Sequence, residues 1–191
     1  GEEELRRMAP DLIMVAISVF GDTGPDAQRA VYDPVSQGLS GLATGQAGAD
    51  GRRPELVRTI LPDKVTGITA AQAITSALFA RERTGESQHL RLSMLDATVA
   101  FLWSSDMGSQ TFVHGKLPQQ EAASFQDLVY ETTTGYIAIA VQNDREWQAI
   151  IRALDQPQWA EDPRFLTAEL RQQNIDARLD LIQSVIRTDS A

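Results

Sequence analysis

Residues 61–97 read LPDKVTGITAAQAITSALFARERTGESQHLRLSMLDA, and the order helix, strand, helix within this run decides the fold class. The spacing predicts a long helix over 64–83. Val65, Ile68, Ala71, Thr75 and Leu78 fall on one side of it, and its many alanines permit close packing. Gly85 is placed to close the helix as a left-handed cap. Residues 88–92 alternate as a strand. Ser93 then stands as an N-cap with an acidic residue, Asp96, three positions on, so a second helix opens there and runs to residue 107 or beyond.

Toward the N-terminus, residues 12–19 (LIMVAISV) form an unbroken apolar run rich in β-branched side chains. Its length predicts a strand buried on both faces, the pattern of a parallel sheet. Residues 5–8 read as the end of a helix broken by Pro10, and FGDTGP at 20–25 as a turn. Asp33-Pro34 is a helix-start pair, with Asp as N-cap and Pro in the first helical position. The glycine stretch GLSGLATGQAGADG at 38–51 keeps that helix short and predicts a surface loop. It matches neither the dinucleotide fingerprint nor a P-loop.

Toward the C-terminus, residues 115–123 are polar and contain Pro118, as a linker would. Residues 125–131 and 136–141 read as two strands around the turn at 133–135. Residues 144–154 are amphipathic, Pro157 and Pro163 punctuate a loop, and 175–186 form a last helix. The expected architecture is therefore α/β: residues 1–113 as part of a large α/β domain, 114–124 as linker, and 125–191 as a small α+β domain. Trp147 and Trp159 are expected in the core of the small domain, His89 in a strand and His114 at a helix end.

Composition narrows the function. The 191 residues carry 17 Lys and Arg against 26 Asp and Glu, a net charge of −9. This acidity argues against nucleic acid or an anionic membrane as the main partner. The balance of 42 % apolar and 23 % charged residues is that of a globular protein and excludes a disordered tail, a collagen-like chain or a coiled-coil rod. With no cysteine there is neither a disulfide nor a thiol nucleophile. With two histidines, a zinc site would have to rest on carboxylates, and none are spaced for one. No apolar run is long enough to span a bilayer. The opening Gly1-Glu2-Glu3-Glu4 is the opposite of a signal peptide, and the expected location is the cytoplasm.

Asp63 is the candidate for chemistry. It follows Pro62 and opens the long helix, where the dipole keeps a carboxylate charged and backbone N–H groups lie near a developing oxyanion. The same position suits a simple N-cap, and spacing alone leaves both readings open.

Five segments together carry more. VAISVFGDTGP (15–25), AVYDPVSQGLSGL (30–42), the run at 61–97, TTGYIAIAVQNDREWQAIIRAL (133–154) and WAEDPRF (159–165) occur in that order. In order and spacing they resemble the family III CoA-transferases, which include formyl-CoA transferase, carnitine CoA-transferase and α-methylacyl-CoA racemase. The resemblance covers nearly the whole chain. It implies a Rossmann-like large domain followed by a small one, in a homodimer of interlocked chains. Members are longer, so the resemblance also implies that this chain is a middle portion, with much of the CoA site in an N-terminal half.

By that resemblance Asp63 is the nucleophile, and Tyr32 and Asp33 line the active site beside it. Racemases of the family carry a histidine where this chain has Tyr32. A base that titrates near neutrality suits proton abstraction beside a thioester, and tyrosine serves poorly. Arg29 is a candidate for a CoA phosphate, because arginine grips phosphate in a bidentate way; a solvated surface arginine is the alternative. Arg81 to Gly85 is a family signature read as structural. No counterpart of the second glycine-rich loop of formyl-CoA transferase follows Phe125, which argues against formyl-CoA as donor. The expected activity is CoA transfer from an acyl-CoA to a free carboxylic acid, with coenzyme A in its substrates and neither a metal nor a redox cofactor. An acyl-CoA racemase and a non-catalytic fragment are the alternatives.

Overall fold

The computed structural model describes residues 1–47, 53–103, 105–107 and 128–189. The chain divides into two compact units, Gly1–Gln126 and Asp127–Ala191. The expected linker at 114–124 lies outside the described residues, as do His114, the end of the glycine stretch and the start of the first hairpin strand.

The first unit contains α1 (Glu2–Met8), β1 (Met14–Ser18), α2 (Asp33–Leu39), α3 (Leu42–Ala47), α4 (Leu61–Thr84), β2 (His89–Ser93) and α5 (Met94–Leu102). β1 and β2 pair in parallel, Met14 opposite His89 through Ser18 opposite Ser93, with α2, α3 and α4 in the connection between them. That is the parallel pairing the apolar run foretells. Its predicted burial on both faces is not met: β1 is half-buried and Ile17 is 52 % exposed, because among the described residues the sheet has only these two strands.

α4 packs against α2, α5 and β2. It ends as predicted, at Gly85 with φ +75°, a left-handed conformation in which a side chain would be strained. Arg81 donates to the Asp11 carbonyl at 2.8 Å and Ser87 to the Pro10 carbonyl at 2.6 Å, which ties this end of the helix to the start of β1. The buried face of α4 is not the predicted one. Val65 is buried, together with Pro62, Thr66, Ala70 and Ala77, whereas Ile68, Ala71, Thr75 and Leu78 are exposed. Apolar residues occur all round this helix, so their pattern marks no single stripe, and the small-residue side admits the closest approach. α5 opens as expected, Ser93 Oγ accepting the Asp96 N–H at 3.1 Å, but it ends at Leu102, short of 107. α3 corrects the loop expected across the glycine stretch: residues 42–47 hold a single glycine, Gly45, and bury Ala43.

The second unit contains the hairpin β3 (Val129–Glu131) and β4 (Tyr136–Ala138), then α6 (Asp144–Ala153), a 3-10 turn (Pro157–Glu161), α7 (Ala168–Gln173) and α8 (Ile175–Ile186). Its core is aromatic. Trp147 stacks on Trp159 with ring centroids 6.1 Å apart and meets the edge of Phe165 at 5.6 Å, and Ile150, Ile151, Ile182 and Ile186 close around them. Both tryptophans are core residues, as expected. Arg171 is buried here, its guanidinium bonded to Asp144 and to the Phe165 carbonyl and lying over the Trp147 ring. α6 carries a double cap: Asn143 Oδ1 accepts the Glu146 N–H at 3.0 Å, and Glu146 Oε2 accepts the Gln142 N–H at 2.8 Å.

Candidate active site

The first turn of α4 is where the candidate chemistry sits. Asp63 is the third residue of the helix, after Leu61 and Pro62. Its side chain is exposed and takes no hydrogen bond or ion pair among the described residues. Its backbone is not free. The Asp63 N–H donates to Asp33 Oδ2 at 3.3 Å, across thirty positions of sequence.

Asp33 therefore plays a different part from the N-cap expected of it. Tyr32 occupies the boundary of α2, Asp33 is the first helical residue and Pro34 the second. Asp33 is 5 % exposed, and its carboxylate bridges its own helix and the start of α4. Oδ1 accepts from Gln37 Nε2 at 2.7 Å and Oδ2 from Asp63. α4 has Ile60 at its boundary, a side chain that cannot accept, so Asp33 caps it from another helix. Burying a carboxylate is costly unless its oxygens are hydrogen-bonded, and both are.

The rest of the α4 first turn is spoken for. The Leu61 N–H donates to the Thr59 carbonyl at 2.9 Å, Pro62 has no N–H, and the Lys64 N–H donates to the Ile60 carbonyl at 3.1 Å. The expectation of backbone N–H groups for an oxyanion is thus not met by this turn. The helix dipole remains, its positive end beside the Asp63 carboxylate.

Gln37 is the site residue that sequence reasoning missed. It is 2 % exposed. Its Oε1 accepts the Val57 N–H at 2.9 Å, and its Nε2 faces three acceptors: Asp33 Oδ1, the Thr59 carbonyl at 3.1 Å and the Val57 carbonyl at 3.4 Å. A donor on one side and acceptors on the other fix which way the amide points. The clue available in sequence is the spacing of Asp33 and Gln37, one helical turn apart on a short helix.

The remaining candidates lie nearby in sequence but are not joined to this network. Tyr32 is 86 % exposed. Arg29 pairs with Asp26 at 3.6 Å and lies over the Phe20 ring at 5.9 Å, contacts that keep its guanidinium with the turn before α2.

A parallel β-α-β crossover that carries an exposed aspartate on a helix start, capped by a second buried aspartate, defines a class when joined to the sequence: the chain belongs to CoA-transferase family III, whose profile matches residues 1–191. Among its relatives, the acetyl-CoA:oxalate CoA-transferase of Acetobacter aceti is 34 % identical over 181 residues, covering 92 % of this chain and 46 % of that protein. The succinyl-CoA:glutarate CoA-transferase of Homo sapiens is 29 % identical over 180 residues, covering 91 % and 40 %. The fold agrees: the crystal structure of a CAIB/BAIF family protein from Brucella suis superposes with a TM-score of 0.79 at 30 % identity, over 98 % of this chain and 50 % of that one. The chain thus spans about half the length of these relatives.

Proposed function

We propose that the protein containing this chain moves CoA from an acyl-CoA thioester to a free carboxylic acid, with Asp63 as nucleophile. The observation that carries the reading is the contrast at Asp63: a backbone held by a buried aspartate and a carboxylate left open. The Asp63 carboxylate attacks the thioester carbonyl, forming a mixed anhydride and releasing CoA thiolate. The thiolate attacks the aspartyl carbonyl, expels the donor acid and leaves an aspartyl-CoA thioester. The acceptor carboxylate attacks that thioester, expels CoA thiolate and leaves a second mixed anhydride; the thiolate then attacks the acceptor carbonyl, giving the acceptor's CoA thioester and regenerating the Asp63 carboxylate. Every step is acyl transfer, so electrons balance without a redox partner.

Asp33 positions the nucleophile in this reading, and Tyr32, exposed beside it, lines the substrate side. Tyrosine where racemases of the family carry histidine supports transfer over racemisation. Arg29 is the candidate for a CoA phosphate if the Asp26 pair gives way. An interlocked homodimer follows the same family resemblance. Several relatives are named for oxalate, glutarate, succinate, D-citramalate or mesaconate, all short dicarboxylic acids, and one is named a probable fatty acyl-CoA transferase; the dicarboxylic acids are the acceptors and donors to screen first, with a fatty acyl-CoA beside them.

The test uses the full-length protein. Wild type given an acyl-CoA and hydroxylamine is expected to become modified at Asp63, read by peptide mass spectrometry. Asp63→Ala is expected to lose at least about a thousandfold in kcat. Full activity in that variant would sink the assignment.

A further inference from the structure

We infer that Gln37 is a positioning residue for Asp63, the amide that locks the start of α4 to α2 so that the nucleophile sits at a fixed place. The inference rests on Asp63 being the nucleophile.

Two bridges join α2 to the turn that carries Asp63. One runs from the Asp33 carboxylate to the Asp63 N–H. The other runs from Gln37 to the main chain at Val57 and Thr59, immediately before the helix start at Leu61. Gln37 belongs to both, because its Nε2 also holds Asp33 Oδ1 at 2.7 Å. A single buried amide thus orients the capping carboxylate and pins the approach to the helix. Thr59 is held further by Lys64, whose Nζ donates to its Oγ1 at 2.6 Å. The Asp63 side chain itself takes no hydrogen bond or ion pair among the described residues. Covalent attack is sensitive to misplacement of the reacting atoms by about 1 Å, whereas binding is shared over the whole of an acyl-CoA. Loosening the amide therefore raises the barrier to attack more than it weakens binding.

Two variants of the full-length enzyme test this. Gln37→Met keeps the shape but leaves Asp33 Oδ1 and the Val57 N–H without the partner that Gln37 supplies, and takes one of two donors from the Thr59 carbonyl. Gln37→Glu keeps the acceptor for Val57 but sets a carboxylate against Asp33, and two adjacent carboxylates hold a shared proton as pH falls. Gln37→Met is expected to lose about 10- to 100-fold in kcat and in the rate of hydroxylamine trapping at Asp63. The KM for acyl-CoA should change by less than about threefold. Gln37→Glu should be similarly slow at neutral pH and recover toward wild type as pH is lowered, when the protonated glutamic acid donates to Asp33 as the amide does. Wild-type trapping rates in both folded variants overturn the role of Gln37 while leaving Asp63 as nucleophile. A fall in Tm with unchanged kcat in the enzyme that remains folded assigns Gln37 to stability alone and likewise overturns it. Failure of wild type to be trapped at Asp63 removes the nucleophile reading itself, and this inference with it.

Discussion

At the residue scale, Asp33 and Asp63 show one residue type in two environments. Asp63 is open to solvent at the surface, whereas Asp33 is buried with both oxygens engaged. The spacing of Asp63 after Pro62 made it visible in the sequence as a helix opener. The task of Asp33 was not visible, because its partner lies thirty positions away and only the fold joins them. Gln37 escaped for a related reason: a neutral amide leaves no mark in charge or motif. Asp33→Ala in the full-length protein is expected to cost about 1–2 kcal/mol of stability, since it removes the acceptor for an otherwise uncapped helix start. Denaturant unfolding measures the loss, and faster hydrogen exchange at the Asp63 amide locates it. An unchanged amide would show that this cap contributes nothing.

At the scale of elements, helix ends were more legible than helix faces. Gly85 and Ser93 act through short local hydrogen bonds or local backbone conformation, which sequence carries directly. The inner face of α4 depends on what packs against it. With alanines all round, periodicity did not separate Ile68 and Leu78, which are exposed, from Ala70 and Ala77, which are buried. α7 was hidden between two prolines and an asparagine and is only six residues long. The cap of α6 has its own pH signature. The Gln142 N–H, with help from Asn143, outweighs partial desolvation and holds the Glu146 carboxyl below its ordinary 4.5. A lowered folded-state pKa means that the contribution is complete above pH 4.5 and is lost as pH falls through the lowered value. Carbon-detected titration of Glu146 should therefore give a midpoint below that of free glutamate. Glu146→Gln should lower Tm at pH 7 and flatten its acid dependence, and an identical acid slope in the variant would refute the cap.

At the scale of the whole molecule, the fold class was readable because apolar runs and helix caps alternate along the first unit and the aromatic cluster marks the second. That a middle portion exposes apolar surface follows from the family resemblance, but which side chains do so was not readable. Ile68 and Phe79 on α4, Phe101 on α5, and Trp103 just beyond it all lie exposed. The chain spans about half the length of its relatives, and among the described residues nothing covers these side chains. Prepared alone, residues 1–191 are expected to bind a hydrophobic dye and to self-associate in light scattering. A monodisperse monomer that binds no dye would refute this.

The parallel pairing of β1 with β2 has a kinetic consequence. Val19 and Ser93, which meet at the ends of these strands, stand 74 positions apart in the chain, and everything that builds the site at Asp33, Gln37 and Asp63 lies inside that span. Helices such as α4 and α5 form from local contacts within microseconds, whereas closing so long a loop before any strand contact rewards it is slow. In refolding, the helical circular-dichroism signal will therefore return well before the capacity to be labelled at Asp63.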